Sequence, residues 1–264
     1  MTSLSEPASI RQLQPERHYR IWGSTRLEPW FPNTSEKIGE VWFSEPESLV
    51  LVKFLFATEN LSVQVHPNDA LAQQKGHPRG KTEMWHILRT EPGAKIALGF
   101  NTPVTANQVR EAALDGSIMG LLRWIPVHPG ETWFIPAGAV HAIGAGVTVC
   151  EVQQNSDLTY RLFDYGRGRE LHLEDSLLAA NLSFSPGSPR IEAGLQVDCP
   201  YFQVNRIDVA TEPTSNLASL IIALSGSGKV GSESFRQGQV FSVAGSAPLV
   251  LSGHAQVLTV STRT

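Results

Sequence analysis

The stretch LSVQVHPNDALAQQKGHPRGKTEMWHIL, Leu61 to Leu88, crowds three histidines, a glutamate and two lysines between two apolar runs. Imidazole nitrogens, carboxylate oxygens and amide oxygens ligate borderline divalent cations, and a lysine beside them adds fixed positive charge. Gln64 and His66 stand at i, i+2, a spacing that puts both side chains on one face of a strand. A second stretch, GETWFIPAGAVHAIG, sets His141 behind Gly130, Pro136 and Gly138. Glycine opens backbone geometry barred to other residues and proline fixes φ. The pattern therefore reads as strand, tight turn, strand, with His141 entering on a defined inward face.

The elements that must carry these groups are strands. Short runs rich in Val, Ile, Phe and Trp recur with Gly or Pro between them: LVLVKFLF (49–56), LSVQVH (61–66), MWHILR (84–89), KIALGF (95–100), ETWFIP (131–136) and VTVCEVQQ (147–154). That rhythm predicts an antiparallel all-β sandwich or barrel. Helical spacing predicts a helix within 103–124, N-capped by Thr105 and split at Gly116 and Gly120, and a shorter one within 170–182. Ser, Pro and Gly concentrate at 184–190. The expected organisation is thus a unit over 1–184 and a smaller β unit over 190–264.

At 264 residues the chain should bury roughly 70 to 75% of its unfolded surface. A net charge of −4 with 17% charged residues fits an ordinary globular protein and argues against a nucleic-acid partner. The two cysteines, Cys150 and Cys199, do not make a disulfide framework and suit a reducing compartment. Neither a signal pattern nor a membrane-length apolar window is present. The expectation is a cytoplasmic protein with no membrane partner.

The pattern Gly130-x5-Pro136-x-Gly138-x2-His141 resembles the cupin superfamily closely. Cupins draw their other ligands from an earlier strand, usually as His-x-His followed by a carboxylate; the equivalents here are Gln64-Val65-His66 and Glu83. The implied fold is a cupin-type antiparallel β-barrel, or jelly roll, with a few short helices. The weak overlay Gly238-x5-Ala244-x-Ser246-x2-Leu249 implies a second, degenerate cupin-like unit without a metal site. Two neutral imidazoles, a carboxylate and an amide oxygen suit zinc or another borderline divalent ion, and the expected cofactor is one zinc per chain. His18, His77, His86, His128, His172 and His254 fit no ligand pattern and read as structural or solvated.

Further details select a family. LSVQVHPNDALA, GKTEMWHIL, IPAGAVHAIG and EVQQNSDLTYRLFDYGR, with WGSTRLEPWF and IGEVWFS before them, resemble the type I mannose-6-phosphate isomerases in their short bacterial form, from about residue 20 to about 183. The resemblance implies zinc ligands Gln64, His66, Glu83 and His141, a catalytic arginine at Arg161 and the family lysine at Lys81. Met84 and Ala139 replace residues frequent in the family, without removing a ligand. The implied substrate is a small sugar phosphate, isomerised between mannose 6-phosphate and fructose 6-phosphate. Such a reaction moves a proton between C1 and C2 through an enediolate. Zinc, Lys81 and Arg161 supply positive field, or Arg161 clamps the phosphate with its planar fork.

Glu151, ten residues beyond His141 on the next strand, is the candidate base, with an ion-paired structural carboxylate as the alternative. Ser62, Arg167 and Arg169 are further candidates for the phosphate. Rival readings are an isomerase of another sugar, a non-catalytic metal-bound sugar-binding cupin and an iron dioxygenase. Lys81 and Arg161 beside the ligands favour an enzyme, and the lack of His-x-His disfavours the dioxygenase. The sequence leaves the oligomeric state open.

Overall fold

A computed structural model describes residues 9–45, 47–209, 214–216, 218–244 and 249–263. In chain order its elements are β1 (Ser9–Gln12), β2 (Glu16–Ser24), β3 (Ile38–Phe43), β4 (Val50–Phe56), β5 (Val63–Val65), α1 (Asp69–Gln74), β6 (Glu83–Thr90), β7 (Lys95–Phe100), α2 (Ala106–Asp115), α3 (Ile118–Leu121), β8 (Leu122–Pro126), β9 (Thr132–Ile135), β10 (His141–Ile143), β11 (Val147–Gln154), β12 (Tyr160–Phe163), α4 (Leu173–Ala179), β13 (Gly194–Asp198), β14 (Phe202–Val209), β15 (Thr214–Asn216), β16 (Leu220–Val230), β17 (Glu233–Arg236), β18 (Val240–Ala244) and β19 (Leu249–Thr262). The chain is mainly β, as expected, and its sheets are antiparallel. One sheet runs β2-β3-β4-β11-β6-β9, the second β12-β5-β10-β7-β8, and the third β1-β18-β16-β19-β14-β13 with β15 and β17 attached.

The central strands β4 and β11 are buried along their whole length, because the sheet they share is covered on both faces. Alternation sends Leu55, Trp85, Ile87 and Val149 inward, where they pack with Ile96, Leu98 and Ile143 of the second sheet. The opposite face carries Val52, Phe54, Phe56, Met84 and Cys150 into a core shared with Phe202, Val204, Ile222 and Leu258 of the third sheet. Truncating the fully buried Phe54 to alanine would cost about 3–5 kcal/mol. Cys150 and Cys199 are free, buried thiols.

Thr105 caps α2 in a capping box with Gln108, and the helix stops where Gly116 turns left-handed at φ +83°, which glycine allows at no steric cost. The later helix is shorter than its sequence window. The first strand departs from the expected division of the chain: β1 pairs with β18, Ile10 opposite Val243, so the chain starts on the third sheet before entering the first. Ser246, part of the repeat overlay, lies outside the described residues. Among the described residues no helix is long and apolar enough to cross a membrane.

Candidate metal centre and active site

Register assembles the site. On the second sheet Gln64 pairs with His141 on one side and with Arg161 on the other, which brings three inward side chains into one row. On the facing sheet Glu151 lies between Lys53 and Trp85, and Glu83 opens β6. The turn before β9 uses Gly130 at φ +92° and the turn before His141 uses Gly138 at φ +89°, the left-handed geometry that the glycines of the motif permit. Gly138 N donates to His66 O at 2.8 Å, tying this turn to the strand end that bears His66.

His66, Glu83 and His141 are buried and offer ligand atoms within 4.8 Å of one another. His66 Nε2 is 3.5 Å from Glu83 Oε2, and His141 Nε2 is 3.5 Å from Glu83 Oε1. Ligands about 2.1 Å from a tetrahedral ion stand about 3.4 Å apart, so the spacing suits a single metal. Glu83 Oε1 is buried without a hydrogen-bond partner, a costly state for a carboxylate oxygen unless a cation meets it. Each imidazole places Nδ1 on a backbone carbonyl, His66 on Leu158 O at 3.1 Å and His141 on Ala139 O at 2.9 Å. Nδ1–H therefore donates and Nε2 carries the lone pair that would meet an ion; it faces the Lys81 ammonium at His66 and the Gln64 amide at His141. Gln64 Nε2 lies 3.2 Å from His141 Nε2, while its Oε1 accepts from Ser62 Oγ at 3.2 Å. Amides bind cations through oxygen, so ligation by Gln64 needs its amide turned over.

The surrounding charges are buried too. Lys81 Nζ bonds Glu83 Oε2 and lies 3.1 Å from His66 Nε2 and 3.7 Å from Glu151 Oε1. Burial opposes its charge, but Glu151 and Glu83 outweigh burial and raise its pKa. Burial, reinforced by Lys81 and His141, holds His66 well below an ordinary imidazole; burial foremost lowers His141 to about 4. Both rings are thus neutral near pH 7, as metal ligands must be. Burial and then Glu83 push the Glu151 carboxyl up, against Lys81 and Lys53. Trp85 Nε1 donates to Glu151 Oε2 at 2.9 Å.

These groups floor a cleft of about 200 Å³ lined by Ser62, Gln64, Lys81, Glu151, Arg161 and Arg169 among others. Arg161 donates to Glu170 O at 2.8 Å and its Nε is buried without a partner. Arg167 does not line the cleft, contrary to its expected role at the phosphate. Its guanidinium bonds Asn60 O at 2.8 Å and Glu59 Oε2 at 3.0 Å and stacks on Tyr165. Arg169, paired with Asp164, takes the cleft position instead. Lys75 pairs with Asp175, and His77 is exposed.

Sequence reasoning passed over Lys53, Arg20 and Asp157, which also line the cleft. Lys53 had a visible signal: it is the one charge in LVLVKFLF, an otherwise apolar strand. Its ammonium lies 3.3 Å from Asp157 Oδ1 and 4.1 Å from the centre of a Trp42 ring.

No family model matches the chain. A mannose-6-phosphate isomerase of Streptococcus mutans is 30% identical over 271 residues, which cover 83% of this chain and 85% of the relative. A probable mannose-6-phosphate isomerase of Bacillus subtilis is 31% identical over 273 residues, covering 83% and 86%. The crystal structure of a mannose 6-phosphate isomerase from Bacillus subtilis superposes with a TM-score of 0.81 at 24% identity, over 94% of this chain and 98% of that one; at that identity the likeness speaks to the cupin fold. With identity of 30% and more spread over most of both partners, the chain belongs to the mannose-6-phosphate isomerase family.

Proposed function

We propose that the chain is a cytoplasmic, zinc-dependent isomerase that interconverts mannose 6-phosphate and fructose 6-phosphate, holding one zinc through His66, Glu83, His141 and a turned-over Gln64. The observation that carries this reading is the convergence of His66, Glu83 and His141 within 4.8 Å, with Lys81 Nζ 3.7 Å from the Glu151 carboxylate. Bound zinc supplies fixed positive charge beside the reacting oxygens. Glu151 takes the proton from one of the two carbons and returns it to the other. Its raised pKa suits a base working near neutral pH, and the Trp85 hydrogen bond holds its carboxylate in one direction. Lys81 adds positive field where the enediolate carries its charge. Arg161, with its spare Nε–H, and Arg169 hold the phosphate, with the Ser62 hydroxyl beside them and Arg167 behind the rim.

The proposed division is a catalytic unit within 1–184, which contains every proposed ligand, and a supporting unit over 190–264 that β1 joins by pairing with β18. The deciding experiment is a coupled assay of fructose 6-phosphate formation from mannose 6-phosphate, run as purified, after chelation and after zinc restoration. Turnover should vanish and return with the metal; zinc-loaded protein that does not turn over would sink the reading.

A further inference from the structure

A second cleft, of about 450 Å³, lies at the far ends of β4 and β6 and the start of β11, and shares no lining residue with the catalytic cleft. Six residue steps along extended β6 separate Glu83 from Arg89, about 20 Å of strand. Its lining includes Arg26, Lys37 and Arg89 with one carboxylate, Glu91; Lys37 is already paired with Glu59 at 3.2 Å, which leaves the two guanidiniums as its cations without a carboxylate partner among the described residues. In a chain of net charge −4 this is a local concentration of positive charge, and a concave wall focuses such a field onto anions.

The two guanidiniums are held differently. Arg89 is pinned: it donates to Glu28 O at 2.9 Å and to Thr148 Oγ1 at 3.4 Å, and it lies 5.7 Å from the centre of a Trp30 ring. Arg26 has its main chain fixed, its N–H donating to Ser24 Oγ at 2.9 Å and its carbonyl accepting from Ser24 Oγ at 3.1 Å. No hydrogen bond or ion pair engages its guanidinium among the described residues. A free planar fork beside a preorganised one matches the oxygens of a tetrahedral oxyanion. The volume exceeds a bare anion and reaches the lower range of small-metabolite sites.

We propose that this cleft binds a phosphomonoester at a site separate from the catalytic one, with Arg26 as its principal phosphate contact. The test is calorimetric titration of the metal-loaded protein with inorganic phosphate at constant ionic strength, comparing wild type, Arg26→Glu and Arg161→Ala. Wild type should show two classes of site. Arg26→Glu should weaken one of them at least tenfold while leaving the KM for mannose 6-phosphate unchanged, and Arg161→Ala should keep the Arg26-dependent class. An isotherm unaltered by Arg26→Glu would overturn the proposal, as would a single class that Arg161→Ala removes. Arg26 is exposed, so the variant should fold; an unchanged thermal unfolding midpoint verifies it.

Discussion

Glu151 and Lys53 stand opposite each other on neighbouring strands, carboxylate and ammonium 4.0 Å apart, each with 4% of its side chain exposed. Two buried charges on the paired strands of a sheet's centre are tolerable because each meets opposite charge, Glu151 also from Lys81 at 3.7 Å and Lys53 also from Asp157 at 3.3 Å. Lys53 also favours the ionised form of Glu151, so its removal acts on both stability and chemistry.

Lys53→Met should destabilise the fold by about 3 kcal/mol, the order expected when one partner of a buried pair is removed, read by chemical denaturation. The Glu151 pKa should climb further, because a counter-charge is lost. A base that protonates at higher pH loses activity at higher pH, so the acid limb of the kcat/KM profile should move upward. An unmoved limb would remove Glu151 from the role of base.

Trp85→Phe keeps an aromatic ring but deletes the hydrogen bond to Glu151 Oε2. Hydrogen bonds to charged groups contribute about 1.5–3 kcal/mol, so kcat/KM should fall about tenfold or more. Zinc content, measured by elemental analysis, should not change, since Trp85 supplies no ligand.

His141→Ala should abolish both zinc retention and turnover. Arg161→Ala should keep its zinc after gel filtration and lose about tenfold to 100-fold in kcat/KM, the range for removing a charge-assisted hydrogen bond of about 1.5–3 kcal/mol to the phosphate. Zinc missing from the arginine variant would contradict this separation of roles.

His86 lies on the outer face of β6, 1% exposed, with Nδ1 2.9 Å from Thr132 Oγ1. Burial, with Arg206 adding to it, lowers its pKa from 6.5 to about 4. Between those values the unfolded chain binds a proton that the native state refuses, so stability is full above pH 6.5 and falls as pH drops toward 4. The loss from this residue is about 3 kcal/mol. In His86→Gln the plot of unfolding free energy against pH should be shallower by one proton across that window.

His66, Glu83 and His141 come within 4.8 Å of one another because their positions obey short-range rules. An i, i+2 step keeps Gln64 and His66 together, and the glycine and proline turn delivers His141. The phosphate side was harder to read. Tyr165 at φ +55°, Gly166 at +72° and Gly168 at +77° twist the loop so that Arg167 leaves for Glu59 and Asn60 while Arg169 enters. Two arginines separated by one glycine give no local hint of which turns inward. Pairing of β1 with β18 was equally hidden, since a contact across most of the chain leaves no periodicity in either strand. Lys53 was legible in principle: a lysine in a wholly apolar strand must have a buried counter-charge.

Both metal-side imidazoles have their tautomer set by main-chain carbonyls, Leu158 O and Ala139 O. Every residue type presents the same carbonyl, so substitutions at 158 or 139 that preserve the backbone keep the donor atoms aimed. The aim of His66 and His141 is thereby insulated from side-chain change at those two positions, and the side chains lining the cleft can vary without disturbing it.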